Sequence, residues 1–217
     1  MSEKVGENIQ REWDEDPFPG ELWDGLQALK QDRDTGIAKL TELALRGSTL
    51  AMMYLGHAHT SAAARTELES GLGKAWLIKS AEGGSIEGRY QLASHYVRQG
   101  DGESAISELK TLAEQGYAPA MYRLGGILYR GELVDRDVPG AVHYLEMAKQ
   151  AGHLPAMGFL SWIYRKEDFG IAGRLASHWN CLAKIPVGFW YIFRYPNSDR
   201  MRGFAFPSRP TNQSGSD

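Results

Sequence analysis

One short pattern occurs four times in this chain, and it restricts the fold more than any other property of the sequence. GSTLAMMYLGHAH begins at Gly47, GSIEGRYQLASHY at Gly84, GYAPAMYRLGGILY at Gly116 and GHLPAMGFLSWIY at Gly152. The starts are 37, 32 and 36 residues apart, a period typical of helical repeat arrays. Four residues after each glycine stands a small residue (Ala51, Gly88, Ala120, Ala156), and eight after it a leucine (Leu55, Leu92, Leu124, Leu160). The ninth position is small again (Gly56, Ala93, Gly125, Ser161), and near the twelfth comes a ring (His59, Tyr96, Tyr129, Tyr164). Offsets of 4, 8 and 12 share one face of an α-helix. The small positions on that face let a partner helix approach closely, and the leucine and the ring fill the seam.

A second helix is predicted before each next glycine. Trp76, Glu108 and Tyr144 stand eight residues ahead of it, followed by Leu77, Leu109 and Leu145 and then Ala81, Ala113 and Ala148. The glycine itself supplies the left-handed backbone that ends such a helix. Loop chemistry agrees: Asp137 is placed to cap a helix that has Pro139 in its first turn, and Asp101 does the same after a shortened loop. HTSAAARTELESGLG reads as the longest connection, with SAAARTELE a candidate for extra helix. Before Gly47, TGIAKLTELALRG matches a second-helix half with Leu40 in the leucine position. ELWDGLQALK offers Leu22, Trp23, Leu26 and Leu29 as its partner. After Tyr164, FGIAGRLASHWNCLAKI reads as a last helix, with Asp168 as cap and Trp179 in the ring position. The total is four to five antiparallel helix pairs.

The pattern resembles the Sel-one-like repeat family, relatives of the tetratricopeptide repeats. Leu55-Gly56 and Leu124-Gly125 match its leucine–glycine step, RGELVDRD its loop (with Gly131, Val134 and Asp137 in place), and AWLIKSAEGG and HYLEMAKQAG its closing helix. The resemblance covers about residues 35–185. It implies an all-α, right-handed α-solenoid in which neighbouring pairs stack because no pair can bury its apolar stripe alone. Residues 1–34 then form an acidic N-terminal segment and cap, and residues 186–217 an aromatic C-terminal cap and tail. The resemblance also implies a scaffold or adaptor, and small bacterial proteins of this kind include immunity partners of secreted toxins.

Charge narrows the partners. Residues 1–34 hold four Lys/Arg against ten Asp/Glu, while residues 35–185 are almost balanced and the whole sequence sums to −3. No segment concentrates the positive charge that phosphate-backbone binding needs, so nucleic acid is not an expected partner. One cysteine, Cys181, fits a reducing compartment. With no leader-like or membrane-spanning stretch, a cytoplasmic location is expected. Residues 189–206 contain seven of the 23 aromatics. Such a run either folds back as a cap on the last helix or docks, onto a partner or, through 189–195, shallowly onto a membrane.

Related tetratricopeptide repeats bind partners on the first-helix face that lines their concave groove. The resemblance carries that register to Met53 and His57, Tyr90 and Ser94, Tyr122, and Trp162. Offset 14 repeats a cation, Arg98, Arg130 and Lys166, with Ser61 in the first repeat. A row of cations suits an acidic or C-terminal peptide. Cations at that offset also suit the negative end of a helix whether or not anything binds.

No catalytic residues, metal ligands or cofactors are expected. His57 and His59 point about 200° apart on a helix and cannot share an ion. Ser107-Glu-Leu-Lys110 has the spacing of serine acylating enzymes without their companion motifs. Some secreted, cysteine-rich relatives are linked to penicillin binding, but their cysteine pairs and export signal are absent here. Cys181, beside Trp179, reads as a small core residue. A non-enzymatic protein-binding scaffold is the function the sequence favours, with membrane docking through 189–195 and hydrolysis as alternatives.

Overall fold

The computed structural model describes residues 7–60, 66–167, 169, 170, 175, 178 and 179. Among them are ten α-helices: α1 (Glu7–Glu15), α2 (Pro19–Gln31), α3 (Arg33–Leu45), α4 (Thr49–Thr60), α5 (Glu67–Glu82), α6 (Ile86–Gln99), α7 (Gly102–Glu114), α8 (Ala118–Arg130), α9 (Val138–Gln150) and α10 (Leu154–Lys166). The protein divides into two compact units between Gln99 and Gly100. In the first, α2 packs on α3, α3 on α4, α4 on α5, and α6 on both α4 and α5. In the second, α7 packs on α8, α8 on α9 and α9 on α10.

The repeated columns are the core. Leu55, Leu124 and Leu160 are fully buried and Leu92 nearly so, and the leucines of the second helices, Leu40, Leu77, Leu109 and Leu145, are all at 0% exposure. Burying each of these leucines yields about 1.5–3 kcal/mol of transfer free energy, so this ladder dominates the packing. The small ninth position has a geometric cause. A methyl group on Gly56 would stand 2.5 Å from Leu77 Cγ, and one on Gly125 would stand 2.7 Å from Leu145 Cγ. In these two repeats the leucine of the second helix therefore sits in a notch that glycine leaves in the first helix, and Ala93 and Ser161 hold that position in the others.

The punctuation follows the sequence reading. Gly47, Gly84, Gly116 and Gly152 all have positive φ, between 81° and 103°. Asp101 accepts the Ser104 amide and Asp137 the Gly140 amide, so both cap as expected, with a proline in the first turn of α9. Asp32 and Thr66 cap α3 and α5 in the same way.

Two features differ from the sequence reading. The stretch 59–73, read as one long connection with SAAARTELE a candidate helix, is helical from Glu67 onward: α5 starts behind the Thr66 cap and runs for 16 residues where α3, α7 and α9 run for 13, and residues 61–65 lie outside the described residues. The 37-residue spacing thus comes from an extra turn of helix. The acidic N-terminal segment also contains a helix, α1, whose Trp13 is fully buried against Leu22, Leu26 and Leu40. Its apolar face is just Ile9 and Trp13, one turn apart and the buried residues among 8–15, which is too short a stripe to read from the sequence.

Asp168, Cys181, the aromatic run 189–206 and the tail lie outside the described residues, as does most of the last predicted helix. Of that helix Trp179, expected in the ring position, is 72% exposed. No helix among the described residues is long and apolar enough to cross a membrane.

Candidate functional site

In the first unit the candidate residues lie on α4 and α6. Met53 is 3% exposed and belongs to the core cluster, and Ser94 is 5% exposed with its hydroxyl donating to the Tyr90 carbonyl at 2.8 Å. His57 and Tyr90 are half-buried and Arg98 is exposed. These residues belong to a polar network that crosses the two helices. Gln91 Nε2 donates to Glu87 Oε1 at 3.3 Å, Gln91 also bonds the His57 ring, and Arg98 Nη2 donates to Thr60 Oγ1 at 3.3 Å. Burial first, and then the nearby Arg98 guanidinium, lower the basicity of His57. Burial lowers that of His95 as well, again with help from Arg98.

Glu87 is the member of this network that the repeat register missed. It is 1% exposed, and a signal for it was present. The third position after each glycine is Leu50, Pro119 and Pro155 in the other repeats, so a carboxylate there breaks an apolar column.

In the second unit the candidates lie on α8 and α10, and here the structure brings them together. Tyr122 packs edge-on against Phe159 with ring centroids 6.1 Å apart, and Phe159 lies 5.8 Å from Trp162. Tyr129 is 5% exposed and backs the strip, edge-on to Phe159 at 5.5 Å and to Trp162 at 5.3 Å. Trp162 is 40% exposed, and the Lys166 ammonium stands 4.7 Å from its ring centroid. At the other side Arg130 folds back along its helix because Gly126 has no side chain: a Cβ there would be 3.3 Å from Arg130 Nη1 and 3.7 Å from Phe159. Arg130 also pairs with Glu132 at 3.2 Å.

The strip is braced from the end of α10. Tyr129 donates its hydroxyl to Glu167 at 2.7 Å, and Arg136 bonds the same carboxylate at 2.5 Å while lying over the Tyr129 ring. Those bonds, Tyr129's first, hold the Glu167 carboxyl below its ordinary range. Beneath Tyr122 lies His153, at 0% exposure and 4.8 Å between centroids. Phe159 and His153 are the residues that the carried-over register did not mark.

The arrangement offers contact area and charge. Ser107 and Lys110 both stand exposed on α7, and among the described residues no three of His, Cys, Asp and Glu cluster as metal ligands would.

No protein-family model and no curated protein matches the sequence. Solved structures do match in fold. A Sel1 repeat protein from Oxalobacter formigenes superposes with a TM-score of 0.60 at 18% identity, over 77% of this protein and 72% of that one. The protective antigen c5321 of uropathogenic Escherichia coli, described as displaying an SLR fold, superposes with a TM-score of 0.58 at 17% identity. That match covers 87% of this protein and 49% of the antigen. With its glycine-closed helix pairs and leucine columns, this protein has the all-α solenoid fold of the Sel1-like repeat proteins.

Proposed function

We propose that the protein is a non-enzymatic scaffold that binds a partner protein on the exposed faces of its first helices, in the cytoplasm. The observation that carries the reading is the α8–α10 strip: Tyr122, Phe159 and Trp162 form an aromatic floor, with Arg130 and Lys166 at its margins. Aromatic and arginine side chains are the groups that anchor protein interfaces most often. The flanking cations favour an acidic segment or a free C-terminal carboxylate. Within this class, an immunity-type role toward a secreted toxin is what the family resemblance implies.

Affinity capture with the full-length protein from its native cell, followed by mass spectrometry, identifies the partner. Trp162→Ala is expected to weaken that partner's binding by about 2 kcal/mol or more, roughly thirtyfold. Circular dichroism should show the melting temperature of this half-exposed site nearly unchanged. Equal capture by wild-type and Trp162→Ala protein would remove the strip from the interface.

A further inference from the structure

The helix that the repeat pattern did not foresee is attached unlike any other. From α2 to α6, consecutive helices of the first unit pack side by side along their lengths, whereas α1 has no such neighbour. Ile9 is buried on it, and three further side chains fasten its C-terminal end. Trp13 enters the core at 0% exposure, edge-on to Trp23 at 6.3 Å. Asp16 accepts from Ser48 Oγ at 2.6 Å, and Ser48 Oγ in turn accepts the Ala51 amide in the first turn of α4. Glu12 accepts from Ser85 Oγ at 2.5 Å and from the Glu87 amide at 3.0 Å, and Ser85 Oγ accepts the Gly88 amide in the first turn of α6. Two carboxylates four residues apart thus engage the same turn, glycine–serine, in two successive repeats, with an indole seated between them.

The fastening is incomplete. Burial pushes the Glu12 carboxyl up from its ordinary range against the pull of its hydrogen bonds, and the Glu87 carboxylate beside it adds to the rise. Trp13 Nε1 is buried with no acceptor among the described residues. A buried donor without an acceptor costs a large share of a hydrogen bond's worth. This helix therefore fills an apolar pocket and two polar turns with its indole donor left without an acceptor among the described residues.

We propose that α1 is a displaceable internal ligand, an autoinhibitory strap over the first turns of α4 and α6. The occupant that replaces it is a partner protein's acidic helix carrying an aromatic residue between two carboxylates, in the spacing of Glu12, Trp13 and Asp16. The positive ends of two helices and two serine hydroxyls already hold carboxylates here, and the same groups would receive those of a partner. The site is separate from the α8–α10 strip and does not depend on it.

The test uses the full-length protein and a labelled synthetic peptide of residues 7–17, ENIQREWDEDP, as probe. Hydrogen exchange of the wild-type protein should show the α1 amides opening well before those of α2 to α6. The peptide should bind the Glu12→Ala/Asp16→Ala variant, whose own strap is loosened, about tenfold or more tighter than wild type, because a closed strap lowers apparent affinity by its open fraction. A peptide with its tryptophan replaced by alanine should not bind. If the double variant does not fold, Glu12→Gln/Asp16→Asn replaces it, and the exchange measurement stands without any variant. Exchange of α1 only with the whole unit, or no saturable peptide binding to either variant, overturns the proposal. A variant that dimerises and loses peptide binding on doing so would assign the site to a second copy of the protein and overturn the hetero-partner.

Discussion

His153 is the residue whose surroundings have the clearest measurable consequence. It is fully buried under Tyr122, and neither ring nitrogen has a hydrogen-bond partner among the described residues. Burial alone pushes its basicity down, from 6.5 to about 4. Well above pH 6.5 the ring is uncharged in both the folded and the unfolded state and adds no pH dependence. As pH falls below 6.5 the unfolded state takes up a proton that the folded one refuses until about 4. Stability therefore drops across that window, by up to about 3 kcal/mol. His153→Leu, which keeps the ring's approximate volume without its charge, should lose less melting temperature between pH 7.5 and 4.5. Identical acid sensitivity in the two proteins would place the loss elsewhere. The sequence showed a histidine one position after the repeat glycine, where Ser48, Ser85 and Tyr117 stand in the other repeats. It could not show that this ring is sealed from water, because that depends on Tyr122 from another repeat.

At the scale of the helix, one glycine substitution should have opposite signs at two sites. Gly125 lies in a notch 2.7 Å from where Leu145 would meet a new methyl group, whereas nothing stands within 4 Å of such a group on Gly71 in α5. Gly125→Ala should destabilise by about 1–3 kcal/mol through overpacking. Gly71→Ala should stabilise by about 0.5–1 kcal/mol through helix propensity alone. Denaturant titrations of both variants check the pair, and two shifts of the same sign would refute the notch. Helices with the repeat columns were legible because their leucines and small residues recur at helical spacing. The start of α5 was legible only as the candidate SAAARTELE, since its added turn carries Leu68 at 75% exposure, which packing does not align with any column. Helix α1 was hidden for a related reason. Its fixed points are a lone tryptophan and two carboxylates, and carboxylates in an acidic segment read as solvated charge until the serines that bind them are placed.

For the molecule as a whole, the all-α solenoid fold was legible, and the carried-over register put only some of its residues on an exposed face. The carried-over register found Tyr122, Arg130, Trp162 and Lys166, which gather on one strip, yet it also marked Met53 and Ser94, which are buried at 3% and 5% exposure. A register states which face a residue occupies; how closely the neighbouring helix covers that face depends on side chains in another repeat. The cations at offset 14 permit a test that spans both units. Arg98→Glu together with Arg130→Glu should abolish capture of an acidic partner while costing about 1 kcal/mol of stability, because Arg98 gives up its hydrogen bond to Thr60. Loss with Arg130→Glu alone would assign recognition to the second unit. Unaltered capture by the double variant would mean these cations serve only their helix ends.

The glycine notches carry a consequence for how a protein of this kind can lengthen. Leu40, Leu77, Leu109 and Leu145 each stand seven residues before the next repeat's glycine, at 47, 84, 116 and 152. The same leucines stand seven residues after the start of α3, α7 and α9, but ten after the start of α5. The leucine in its notch acts as a datum, and the segment on its C-terminal side keeps a constant length. Insertions are absorbed only upstream, in the connection or in the opening turn of the second helix. Variation among the repeats is thereby channelled to the opening end of the second helix, where new residues can be added without moving the leucine beneath them.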